Sequence, residues 1–60
     1  MVTITRKPAG SYNGVVVQRL ICDGEGCGWE DKAYRYDAEA RATLHIAVKH
    51  GGKGRIRRVE

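Results

Sequence analysis

The sequence predicts a small α+β domain in which strands come first and one helix follows, and three features lead there. The first third of the chain is rich in β-branched residues that alternate with polar ones. The stretch after Asp37 is dense in alanine, with an acid near its start and bases near its end. A Gly51-Gly52 pair then stands where such a helix needs its C-cap.

Taken in order, residues 2–6 alternate apolar and polar side chains and read as a half-buried strand. Pro8, Gly10, Ser11, Asn13 and Gly14 cluster as a turn, with Tyr12 on its loop. Residues 15–21 form a second β-favouring run that closes an N-terminal hairpin. A glycine-punctuated loop spans 22–28, and residues 29–36 alternate well enough for a short third strand with Trp29, Ala33 or Tyr34 on its inner face. Asp37 is a good N-cap for a helix over about 38–50, with Ala40, Leu44, Ala47 and Val48 on one face at helical spacing. Residues 1–52 thus read as a single domain and residues 53–60 as a basic C-terminal tail.

Size and charge narrow the possible functions. A chain of 60 residues buries only about 60% of its unfolded surface, so it needs a metal, a disulfide or a partner to stay folded. That excludes a multi-domain enzyme and argues against a large small-molecule pocket. The longest apolar run, Val15 to Val17, stops at Gln18 and Arg19, far short of the roughly 20 residues of a membrane span. Met1 is followed by no apolar leader, so a soluble cytoplasmic protein is expected. The net charge of +4 is unevenly spread: +3 over residues 1–21, −4 over 22–40 and +5 over 41–60. An anionic partner would therefore meet the two ends of the chain and not its acidic middle.

The chain has two cysteines and two histidines, and their spacing carries the chemistry. Cys22 and Cys27 flank a loop containing Gly24 and Gly26, which can fold back so that both thiolates face one point. His45 and His50 lie in the second half of the helical stretch. Two thiolates and two neutral imidazoles supply the four tetrahedral donors of a structural zinc site, and their charge cancels that of the ion. The cysteines alone could instead form a disulfide, but intracellular proteins seldom keep one and the histidines would have no role. Residues five apart on a helix point about 140° apart, so the helix has to tighten or fray near His50 for both rings to reach one ion.

With every Cys and His used in the order Cys, Cys, His, His, residues 22–50 resemble the two-cysteine, two-histidine zinc finger. The gap between Cys27 and His45 is 17 residues, against about 12 in the usual pattern. The chain is similar to single zinc fingers among small regulatory proteins of bacteria, plasmids and phages. The resemblance implies a strand–strand–helix unit around zinc, with base-reading positions on Ala38, Arg41 and Leu44. Only Arg41 could make a bidentate contact to guanine, and Leu44 suits a core better.

Nucleic acid, most simply DNA, is accordingly the first expected partner, held with little base specificity by Arg41 and by Lys53, Arg55, Arg57 and Arg58, with Arg6, Lys7 and Arg19 adding to them. The alternative is a protein-interaction module in which zinc is purely structural, with Tyr12, Trp29, Tyr34 and Tyr36 as anchors or the N-terminal strand as an edge for a second chain. Catalysis is not expected. A closed metal site leaves no position for an activated water, Ser11 has no neighbouring His in sequence, and no phosphate-cradling glycine loop precedes a helix.

Overall fold

The computed structural model describes residues 1–59. Strands β1 (Val2–Tyr12), β2 (Val15–Cys22) and β3 (Glu30–Tyr34) precede helix α1 (Arg35–Lys49), and strand β4 (Gly54–Arg58) follows it. The four strands form one sheet in the order β3-β2-β1-β4. β2 runs antiparallel to both β1 and β3, whereas β1 and β4 are parallel. A parallel pair needs a crossover, and here α1 carries the chain from one edge of the sheet to the other.

The β1–β2 hairpin turns at Asn13-Gly14, both with positive φ (52° and 78°), the backbone that a tight two-residue hairpin turn requires. Pro8 and Gly10, read from sequence as part of the turn, lie within β1, where the register shifts between Pro8 and Ser11. Pro8 is tolerated because β4 pairs only with Val2–Arg6, so β1 is an edge strand by then. Tyr12 closes the strand and does not sit on a loop. Eleven residues at about 3.3 Å each give roughly 36 Å, so this hairpin sets the 34 Å long axis of the molecule.

One face of the sheet receives α1. Ile4 and Leu20 are fully buried there with Ala33, Ala38, Ala42, Ile46 and Cys22, and Val2, Trp29 and Ile56 pack at the margin. Ala38 and Ala42, four residues apart, let the helix lie close to the strands. Arg6 is buried beside them: its Nε donates to Gln18 Oε1 at 2.8 Å and an Nη donates to the Arg35 carbonyl at 3.4 Å. It is therefore withdrawn from the surface on which the sequence placed it.

Three further expectations are corrected. The helix begins at Arg35, three residues early. Tyr34 caps it without a side-chain hydrogen bond, and Asp37 lies inside the first turn, where its carboxylate accepts from Arg41 Nε at 2.8 Å. Ala40, Leu44, Ala47 and Val48 form the outer face, with Leu44 64% and Val48 67% exposed, because the buried face is Ala38, Ala42, His45 and Ile46. Residues 54–58, read as tail, are strand β4: Ile56 pairs with Ile4 and packs on the core. The backbone of Gly54 fits so closely that a Cβ there would sit 2.9 Å from Val2 Cγ2 and 3.0 Å from Ile46 Cγ2.

Candidate metal centre

Cys22 ends β2, and Cys27 follows in the tight turn that leads to β3. The turn is closed by two backbone bonds, Cys27 N–H to the Gly24 carbonyl at 2.9 Å and Cys22 N–H to the Trp29 carbonyl at 3.0 Å. It is tied to the start of β1 by Asp23, whose Oδ1 accepts from Thr3 N–H at 2.7 Å and whose N–H donates to the Thr3 carbonyl at 3.1 Å. Gly24 is the residue that sequence reasoning treated only as flexible. Its N–H donates to Cys22 Sγ at 3.4 Å, and a Cβ on it would stand 2.9 Å from His50 Cε1 and 3.3 Å from Cys22 Sγ. Glycine two residues after the first cysteine was the available signal.

His45 projects from the buried face of α1. His50 is the C-cap residue, at φ −125° and ψ 16°, so the chain has already left the helix and the five-residue spacing no longer separates the two rings. Gly51 and Gly52 continue at positive φ, and the Gly52 N–H bonds the Ile46 carbonyl at 3.0 Å. This is the unwinding near His50 that the spacing demanded. The rings meet edge to face with centroids 5.0 Å apart. Trp29 stacks on His45 at 4.1 Å and 11°, fixing the plane of that imidazole and covering it from solvent.

The four side chains converge. Cys22 Sγ lies 3.3 Å from His50 Nε2, Cys27 Sγ lies 3.3 Å from His45 Nε2, and all four donor atoms are within 4.8 Å of one another. A tetrahedral ion bound at about 2.3 Å to sulfur and about 2.0–2.1 Å to nitrogen has donor–donor edges of about 3.4–3.8 Å. The observed set fits such an ion with sub-ångström adjustments. The cysteines are free thiols, not a disulfide.

The electrostatics suit a cation as well. Burial pushes the Cys22 thiol above its ordinary range, with the neighbouring Cys27 adding to the effect and the Gly24 N–H only partly offsetting it. Burial also lowers the His45 imidazole, helped by the nearby His50 and Lys49, so it stays neutral with a lone pair free to ligate. A divalent ion would reverse the Cys22 shift by stabilising its thiolate.

The residues expected to touch nucleic acid do not gather at this centre. Arg41 is held by two carboxylates, Asp37 at 2.8 Å and Asp31 at 3.2 Å. Ala38, its neighbour in the base-reading set, is fully buried. Lys53 is exposed in the turn before β4, and Arg55 donates from Nε to Thr3 Oγ1 at 3.3 Å. Arg55 and Arg57 alternate with Ile56 and so occupy the face of β4 turned away from α1, whereas Arg58 shares the side of Ile56. No family model, curated protein or solved structure matches the chain, so its functional reading rests on these residues.

Proposed function

We propose that this chain is a small zinc-dependent regulatory or adaptor module that binds nucleic acid through phosphate contacts, with little base specificity. The metal half of the reading is supported by the donor set. Two thiolates and two imidazoles gathered within 4.8 Å of one another favour zinc over the hard cations, which take oxygen ligands. Four protein donors leave no coordination site for water, so the ion would fasten the β2–β3 turn to the end of α1 and carry no reaction.

The observation that carries the nucleic-acid half is the parallel pairing of β4 with β1. The sequence puts its positive charge at the two ends of the chain, and this pairing brings those ends side by side on one sheet. Two acids of the middle segment, Asp31 and Asp37, are engaged by Arg41. That ion pair and the burial of Ala38 favour phosphate contact over reading of base edges by the helix. Titration of zinc-loaded protein against labelled DNA, duplex and single-stranded, at low and high salt tests the reading. Binding that weakens steeply with salt is expected. Failure to bind either form at low salt overturns it.

One observation favours a second reading as a protein-interaction module. Tyr36, Leu44 and Val48, which are 77%, 64% and 67% exposed, lie along the outer face of α1 with Ala40 and Ala47. An exposed apolar stripe of this kind is how helices dock on partners. Concentration-dependent sedimentation that Leu44→Ser abolishes would establish this role.

A further inference from the structure

The face of the sheet opposite α1 is uncovered among the described residues, and strand register shows what lies on it. Lys7 pairs with Arg19 and Arg19 with Lys32, so three cations stand in one row across β1, β2 and β3. They share a face because their neighbours Arg6, Leu20 and Ala33 are buried toward the helix. In the adjoining row Arg57 pairs with Thr5 and Thr5 with Ile21, which faces Glu30, the one acid of the set. Arg55 follows beside Thr3.

Like charges directly opposite on neighbouring strands repel, and no ion pair relieves this row among the described residues. Among the described residues Lys7, Arg19, Lys32 and Arg57 make no ion pair; the two ion pairs present both belong to Arg41. A band of cations from the β3 edge to the β4 edge is complementary to a polyanion.

On the hairpin side of the band the same face turns aromatic. Val17 pairs with Tyr34 and Val15 with Tyr12. Tyr12, Val17, Lys32 and Tyr34 line one recess of about 250 Å³ that wraps over the β3 edge. Tyr34 is stacked parallel on Tyr36 with ring centroids 5.5 Å apart. Cations beside the exposed ring of Tyr12 and the half-buried ring of Tyr34 on an open sheet are suited to unpaired bases, which stack on the rings while their phosphates meet the charges. Paired bases offer the rings nothing. The sheet has four strands about 4.8 Å apart, and is therefore broader than the two-stranded ribbon that a major groove admits.

We infer that the open sheet face is a binding platform for a single-stranded polynucleotide, held by Lys7, Arg19, Lys32, Arg55 and Arg57 and stacked on Tyr34 and Tyr12. This rests on the nucleic-acid reading above and assigns it a surface and a strand state. The test is fluorescence anisotropy of the zinc-loaded full chain with labelled oligodeoxythymidine, oligouridine and a duplex of equal length, at two salt concentrations. Either homopolymer should bind more tightly than the duplex, and the stronger of the two tells DNA from RNA.

Arg19→Ala and Lys32→Ala should each weaken single-strand binding and flatten the plot of log affinity against log salt by about 0.7 for each phosphate no longer neutralised. Tyr34→Leu and Tyr12→Ala should weaken it roughly fivefold or more without changing that slope. Tyr34→Phe, which keeps the ring, should bind as the native chain does. Metal content and the near-ultraviolet signal of Trp29 verify that each variant is folded, and Thr43→Ala, an exposed change on α1, should leave binding unaltered. A duplex bound as tightly as the single strands, with the tyrosine variants neutral, overturns the platform while leaving the nucleic-acid function standing. No binding of any probe at low salt removes both.

Discussion

Replacing Gly24 with alanine should loosen the metal centre while leaving all four ligands in place. Gly24 does not adopt the left-handed backbone conformation, and its N–H bond to Cys22 would survive the change, so the effect is purely steric. The added Cβ would lie 2.9 Å from His50 Cε1, 3.1 Å from Val2 Cγ1 and 3.3 Å from Cys22 Sγ. Restoring ordinary separation requires the His50 ring to retreat by roughly 0.5–1 Å, opening the 3.3 Å approach of its Nε2 to Cys22. Overpacking of this size costs about 1–3 kcal/mol. Since about 1.4 kcal/mol is a factor of ten, zinc affinity should fall roughly ten- to a hundredfold. Competition with a chromophoric chelator measures this directly, with Glu25→Ala, an exposed change in the same turn, as the control. Affinity within twofold of native for Gly24→Ala would refute the close packing of the turn against His50.

Four other outcomes follow from the same geometry. Among the described residues only Ile4 and Leu20 are large, fully buried side chains, whereas metal binding in finger peptides supplies on the order of 10 kcal/mol; chelation should therefore abolish the near-ultraviolet signal of Trp29. A metal-free chain that stays folded would contradict this. Cys22→Ser should be as damaging as chelation, while His50→Ala, at the frayed helix end, should be milder than His45→Ala. The two pKa shifts act with opposite signs on the stability that the polypeptide contributes by itself, which without the ion is too small to keep the chain folded. The raised Cys22 pKa contributes stability below the ordinary thiol range that is lost as pH rises through the raised value. The lowered His45 pKa contributes stability above about 6.5 that is lost as pH falls through the lowered value. Because burial keeps Cys22 protonated at neutral pH, zinc loading in weak buffer should release at least one proton per ion; none released would exclude its thiolate as a ligand. Finally, removing residues 53–60 should lower the urea midpoint of the zinc-loaded protein by the equivalent of about 2 kcal/mol, because Ile56 and the β1–β4 ladder go with them. An unchanged midpoint would show that β4 adds nothing to the fold.

Much of this was fixed by local chemistry. The alternation of residues 2–6 and 15–21 and the alanine-rich stretch closed by Gly51-Gly52 each dictate their own conformation, so the hairpin strands and the helix were legible from residue order, whereas the turn read from Pro8 to Gly14 narrows to Asn13-Gly14. The convergence of Cys22, Cys27, His45 and His50 was legible too, since residue type and spacing are sequence properties, and even the unwinding at His50 followed from its distance to His45. What the chain alone did not decide was which side of each element faces inward. Helix α1 carries two apolar stripes on opposite sides, Ala38-Ala42-Ile46 and Ala40-Leu44-Val48, and the larger side chains of the second gave the wrong phase. The phase is set by His45, which has to point at the two cysteines, and that constraint reaches across the fold. Likewise, residues 54–58 show a single apolar side chain, Ile56, among bases, and they become a strand because β1 leaves an unpaired edge where α1 delivers the chain. Arg6 and Lys7 are adjacent cations whose fates differ by one step of the strand period, one buried on Gln18 and one exposed beside Arg19. Pairing partners distant in sequence made those choices, and only the tertiary structure brings them together.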